Sequence, residues 1–260
     1  MAANLEGYTI LIVGGTSGIG EAFTKRFHGM GKKVIVTGRR KDRLSEMQKK
    51  LSGLEVYPFD MADLTSIQSH VEKLFSSYPD IDTVWINGGL QYLSSIKDID
   101  STTDARVIEE VTTNLTAPMV LGRHVIPRLL AQKKETQFMI TSSGLGFVPV
   151  GSMFPIYCPT KAAIHGYLVG IRQALKETNV NVIEIVPPFV GGTELGPEHM
   201  DKVAHLTPLP MEDFVNETFE HLDNNKASDL KEVAAGTAVD RVKAWRSGTG
   251  ALLAKSGLGG

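Results

Sequence analysis

The sequence holds one cysteine in 260 residues, Cys158. A lone thiol excludes an internal disulfide framework and a cysteine-based zinc site, and its plain reading is a small apolar packing residue. No apolar run approaches the roughly 18 residues that a helix needs to cross a bilayer. The opening MAANLEGYTILIVGG lacks a basic leader region, and the closing SGLGG matches no lipidation or retention signal. Excess charge is also scarce: the formal net charge of −2 argues against nucleic acid or an anionic membrane as the main partner. The 7 histidines show no metal-ligand spacing, so no metal is expected. These absences together predict a soluble, cytoplasmic protein.

Linkers, internal repeats and breaks in composition are missing too, which predicts one domain over residues 1–260. What is present is a regular alternation. Residues 8–13, 33–37, 54–59, 81–86, 136–141 and 180–186 are β-branched runs, and amphipathic helical stretches separate them. Near-continuous apolar strands suit a parallel sheet covered on both faces. The pattern predicts an α/β fold: a doubly wound, mostly parallel sheet of about seven strands with helices on both faces. Residues 229–236 offer the last strand, with a helix at 237–247 behind it. The segment 187–226 reads differently, as a substrate-binding loop with short helices. Gly191, Gly192 and Gly196 are its candidate hinges, and Pro197, Pro208 and Pro210 prevent one continuous helix. From 190 onward it is expected to act as a lid, with Leu195, Met200, Leu206, Leu209 and Met211 closing over the site.

Between the first strand and the first helix stands IVGGTSGIGEAF. Gly14 and Gly15 suit a tight turn, Gly18 a close approach to a pyrophosphate, and Gly20 the packing of helix on sheet. The helix N-terminus then offers N–H groups and a positive dipole end, so this is a candidate dinucleotide loop of the Rossmann kind. NAD-preferring sites carry an acidic residue at the end of the second strand. Here that strand ends VTGRRKDRL, with Gly38 in that place and Arg39 and Arg40 next. A carboxylate repels a 2′-phosphate and an arginine binds it, so NADP(H) is expected rather than NAD(H). Asp60 either bonds the adenine edge or caps the following helix.

With these pieces in place the sequence resembles the short-chain dehydrogenase/reductase family over nearly its whole length. VGGTSGIG is similar to that family's Thr-Gly-x-x-x-Gly-x-Gly, INGGL (86–90) to its Asn-Asn-Ala-Gly, and YCPTK (157–161) to its Tyr-x-x-x-Lys. ITSSGLG (140–146) resembles the strand end with the catalytic serine, VTTNLTAP (111–118) the helix with the asparagine, and IVPPFVGGTEL (185–195) the Pro-Gly-x-Val-x-Thr segment. Val13, Ile86 and Pro188 depart from these patterns, and one residue is inserted before Thr193. The Pro-Pro pair marks a variant branch, with an altered rim around the nicotinamide amide. The resemblance implies cofactor contacts from Gly14, Thr16, Ser17, Gly18, Ile19 and Gly20, and from Arg39, Arg40, Asp60 and Met61. It adds Asn87, Gly88 and Gly89, then Pro187, Val190 and Thr193, with Tyr157 and Lys161 at the reactive end. It also implies a homodimer or homotetramer built on the helices of 101–132 and 157–178.

The chemistry follows from the Tyr157–Lys161 spacing. A phenol of pKa near 10 is a poor acid–base catalyst at neutral pH. One helical turn brings the Lys161 ammonium beneath it, which favours phenolate. The resemblance adds a lysine bond to the nicotinamide ribose, a substrate-polarising Ser143, and an Asn114 that holds a water relaying protons to Lys161. Hydride would pass between the nicotinamide and a carbonyl or secondary alcohol, with Tyr157 as general acid/base. Leu90, Tyr92, Phe147, Met153, Phe154 and Phe189 are candidate pocket residues, and their apolar character suggests a small apolar or aromatic substrate. Two other readings stay open: non-redox chemistry on the same fold, such as dehydration, isomerisation or cyclisation, and a dinucleotide-binding regulator without turnover.

Overall fold

In a computed structural model, residues 8–193 and 206–257 are described. They build a seven-stranded sheet in the order β3-β2-β1-β4-β5-β6-β7. Every pairing is parallel, so the predicted "mostly parallel" sheet is wholly parallel. The strands are β1 Thr9–Val13, β2 Lys33–Gly38, β3 Glu55–Pro58, β4 Ile81–Ile86, β5 Thr136–Thr141, β6 Val180–Val186 and β7 Glu232–Ala234. The helices are α1 Gly18–Gly29, α2 Lys41–Lys50, α3 Ile67–Ser77, α4 Asp104–Val111, α5 Ala117–Leu130, α6 Gly144–Phe147, α7 Tyr157–Ala174, α8 Met211–Asn224, α9 Ala238–Trp245 and α10 Ala251–Lys255. A π-helical turn at Thr112–Thr116 joins α4 to α5.

Strand β1 shows why the runs are apolar on both sides. Ile10 and Ile12 point into one core with Phe23, Phe27 and Phe219, and Leu11 and Val13 into the other with Val71, Leu121 and Leu168. The period-2 alternation of side chains thus feeds two cores, with α1, α2 and α8 on one face and α3, α5 and α7 on the other.

The largest departure from the sequence reading is α8. Residues 187–226 were expected to hold only a loop with short helices, yet 14 of them form a regular helix with Pro210 at its N-cap. A proline just before a helix starts it rather than breaks it. Phe214, Thr218, Phe219 and Leu222 recur at helical spacing and are buried. Phe219 stacks on Phe23 with centroids 5.3 Å apart, and Phe23 meets Trp85 edge-on at 4.6 Å. Residues 211–224 therefore pack as part of the core. Leu195, Gly196, Pro197 and Met200 lie outside the described residues.

Candidate active site

The carboxyl ends of β1, β2, β4 and β5 open into one cleft of ≈ 410 Å³, within the ordinary size of small-molecule sites. Its floor is the loop between β1 and α1. Gly14 has φ +86, and a side chain there would stand 2.5 Å from the Gly88 Cα, so glycine is required by conformation and by contact. The N–H groups of Gly14 and Gly15 donate to Thr37 O, and those of Asn87 and Gly88 donate to Val13 O. A polar chain locks this floor to the sheet. The Trp85 indole donates to Thr141 Oγ1 at 2.8 Å, Thr141 donates to Asn87 Oδ1 at 2.9 Å, and Asn87 Nδ2 donates to Gly14 O at 3.0 Å. Ile86, in place of the family's first asparagine, is simply buried core.

At one end the cleft is basic. Arg40 Nη2 donates to Thr16 Oγ1 at 3.1 Å and to Ser17 Oγ at 2.7 Å, while Arg39 lies exposed on the rim. Gly38 is held against Thr16: a Cβ would lie 2.5 Å from Thr16 Cγ2. Asp60 and Met61 line the same end. Asp60 accepts from Ala62 N–H at 3.0 Å in a local turn, and α3 starts only at Ile67, so Asp60 does not cap that helix.

At the other end stand Tyr157 and Lys161, 4% exposed each. The Lys161 Nζ lies 5.6 Å from the centre of the Tyr157 ring and donates to Thr141 O at 2.9 Å. Ser143 stands beside the phenol, and its Oγ accepts from Leu145 N–H at 3.1 Å as the N-cap of α6. Burial pushes the phenol well above its ordinary value, and the lysine does not offset it as the spacing alone suggested. The same burial pushes Lys161 down to about 8. Asn114 sits in the π-helical turn, and its amide is occupied: Oδ1 accepts from Leu90 N–H at 2.8 Å and Nδ2 donates to Leu90 O at 2.7 Å. Its side chain thus fixes the cleft wall beside Lys161.

Several expected contacts fall elsewhere. Phe147 turns away from the cleft to pack on His165, with centroids 4.4 Å apart, and on Trp245. Val190 buries its side chain in the core with Phe214, leaving Pro187 and Thr193 on the cleft. Phe154 packs behind Tyr157 and Cys158, with Met153 beside it, while Leu90 and Tyr92 line the opening. Phe189 is half-buried, and its carbonyl accepts from Leu209 N–H. Gly20 packs against the Gly14 carbonyl, and Ile19 lines the cleft.

Sequence reasoning missed Gln91, Thr113 and Ser142, which also line it, and the buried Glu110 beside it. Thr37, Thr113 and Ser142 each hold a buried hydroxyl with no hydrogen-bond partner. Such orphaned groups on the wall of a long cleft, basic at one end, fit a polar ligand such as a dinucleotide.

Residues 8–203 match the family model described as short chain dehydrogenase. The chain belongs to that family. Over 234 residues it is 34% identical to DltE, an uncharacterized oxidoreductase of Bacillus subtilis, covering 88% of this chain and 89% of that protein. The NADP-dependent 3-hydroxy acid dehydrogenase YdfG of Escherichia coli (strain K12) is 30% identical over 192 residues, 71% of this chain and 73% of its own length. Among solved structures, the closed form of serine dehydrogenase complexed with NADP+ superposes with a TM-score of 0.76 at 26% identity, covering 87% of this chain and 94% of that one. This short chain dehydrogenase is thus an oxidoreductase-family member with a seven-stranded parallel sheet. Among the described residues, no helix is long and apolar enough to cross a membrane.

Proposed function

We propose that the chain is an NADP(H)-dependent oxidoreductase that transfers hydride between the nicotinamide and a carbonyl or secondary alcohol of a small apolar or aromatic substrate. The observation that carries this reading is the cleft itself, with Gly38, Arg39 and Arg40 at one end and Tyr157 and Lys161 at the other. An adenosine 2′-phosphate at the first end would meet the Arg39 and Arg40 guanidiniums and the Ser17 hydroxyl, by charge-assisted bonds that NAD(H) cannot make. The NADP dependence of YdfG and the NADP+ bound to serine dehydrogenase support this choice.

When bound, NADPH supplies the hydride. The chain's own residues handle the proton. Ser143 holds the substrate oxygen against the Tyr157 hydroxyl, and Tyr157 gives its proton to that oxygen as charge develops there. A phenol held well above its ordinary pKa is protonated at neutral pH, which suits the reductive direction. Lys161 lies close enough to stabilise the phenolate that forms. Leu90 and Tyr92 provide the apolar side of the opening.

The same reading includes a homo-oligomer, homodimer or homotetramer. Ile108 on α4 is 65% exposed and Met119 on α5 is 40% exposed, which suits contact with a second copy. Nicotinamide absorbance, followed over a panel of ketones, aldehydes and secondary alcohols, tests the activity. NADPH consumption with a carbonyl, faster than NADH consumption, is expected. Product formation with no change in nicotinamide absorbance would replace this reading with a non-redox one.

A further inference from the structure

Helix α4 inverts the usual hydrophobic pattern: Ile108 is 65% exposed while Glu110, two residues on, is 1% exposed. Burying a carboxyl is costly unless partners compensate. One hydrogen bond reaches it among the described residues, from the Tyr92 N–H to Oε1 at 3.2 Å. One helical turn later, Asn114 grips both backbone groups of Leu90. At Gly89, a Cβ would stand 3.3 Å from Asn114 Oδ1 and 3.6 Å from Lys161 Nζ. One run of backbone, residues 89–92, therefore passes beside Lys161 at its start, bonds to Asn114 next and to Glu110 at its end. Gly89, Leu90, Gln91 and Tyr92 are also a wall of the cleft.

We propose that Glu110 is a positioning residue of this site, whose buried carboxylate anchors the 89–92 wall at Tyr92 and places a negative charge on the side of the site that holds Lys161. The inference rests on reading Lys161 as the partner of Tyr157. The titratable groups facing Glu110 are Tyr157, Cys158 and Lys161 on α7 and Tyr92 in the loop after β4. On its own helix, Glu109 and Arg106 serve the Tyr92 side chain instead: Glu109 accepts from its hydroxyl at 2.9 Å, and the Arg106 guanidinium lies 5.0 Å from its ring. Burial pushes the Glu110 carboxyl up to about 7, against the downward pull of the Tyr92 N–H and the Lys161 charge. Lys161 is pushed down to about 8 by burial, while Glu184 and Glu110 pull it back up. Glu184, on β6, is answered from α7 by His165, at 2.8 Å, and by Arg172, at 3.7 Å. The cation acting on Glu110 is Lys161. Between pH 7 and 8 each group is charged in large part, and each charge lowers the cost of burying the other.

Glu110→Gln keeps an acceptor for the Tyr92 N–H and nearly the same volume, and removes only the charge. In the full chain labelled with 13C at lysine Cε, the Lys161 resonance should titrate about one pH unit lower in this variant than in the wild type, the size of a close charge interaction in a partly screened interior. An unmoved Lys161 midpoint overturns the proposal. The reciprocal arm uses Lys161→Met with 13C at glutamate Cδ: the Glu110 midpoint should rise, because a positive charge that lowers it has gone. A Glu110 midpoint unchanged by that substitution also overturns the proposal, and this arm does not depend on the glutamine variant folding. Both arms are read without turnover, so failure to reduce any carbonyl is a separate result from loss of the coupling.

Discussion

Gly38 lies so close to Thr16 that a Cβ on it would stand 2.5 Å from Thr16 Cγ2. The place where an NAD-preferring site carries its carboxylate is therefore closed by packing as well as lacking the charge. Gly38→Asp is expected to weaken NADPH binding without creating good NADH binding, because the new side chain displaces Thr16. Arg39→Asp, exposed on the rim, is expected to cost about 1–3 kcal/mol in NADPH affinity and leave NADH nearly unchanged. Fluorescence titration of both cofactors against both variants checks this. A wild-type preference for NADH would remove the basis for the NADP(H) assignment.

Tyr157→Phe removes the proposed proton donor while keeping the ring against Phe154 and Cys158. We expect kcat to fall by about 10²–10⁴-fold or more with cofactor affinity near wild type. Lys161→Ala should damage both turnover and cofactor binding. Steady-state kinetics alongside cofactor titration separates the two patterns. Near-normal turnover by the phenylalanine variant would show that the phenol is not the acid.

Glu110 makes stability depend on pH in a definite direction. Its carboxyl is raised from 4.5 to about 7 in the folded chain, so folding favours the protonated form. That contribution is complete below pH 4.5 and is lost as pH rises through 7. Glu110→Gln, which is neutral throughout, should match the wild type near pH 4 and exceed it at pH 8 by up to about 3 kcal/mol. Urea denaturation at the two pH values measures the difference. A constant offset at both would mean that the carboxyl does not titrate in this range.

Helix α8 is expected to behave as core. Phe219→Ala removes a ring that touches both Phe23 and Phe27, and should cost about 3–5 kcal/mol of stability. Hydrogen exchange should show residues 211–224 protected to a similar degree with and without cofactor. Exchange that slows markedly only on ligand binding would restore a lid role to this helix.

The strands were legible because each is a short apolar run bounded by turn residues, and the glycine loop because its spacing falls between a strand and a helix. Tyr157 and Lys161 were legible by spacing, but the state of the phenol was not. One helical turn promises a stabilising charge, whereas the depth of burial that outweighs it depends on packing from distant segments. Helix α8 was hidden by Pro208 and Pro210, read as breakers although Pro210 is the N-cap. Its signal was present in Phe214, Thr218, Phe219 and Leu222 at helical spacing. Glu110 was hidden because a Glu-Glu pair on a helix ordinarily marks a solvated face. Phe147 was drawn to the wrong pocket because its neighbour in space, Trp245, lies almost 100 residues away in sequence.

The wholly parallel sheet also shapes how the chain must fold. No strand pair in it can close through a hairpin, since parallel neighbours need a long crossover. The pairing of β1 with β4 brings Thr9 to Ile81, across the whole first βα series. Non-local closures of this kind carry their entropy cost before any contact rewards it, and they slow folding relative to a helical bundle of equal size. The glycine loop proposed to cradle the cofactor leaves β1, and its bonds to Asn87 and Gly88 exist only once β4 has arrived. Nucleotide binding is therefore expected to appear late in refolding, after the central strands have met, and added cofactor should slow unfolding more than it speeds folding.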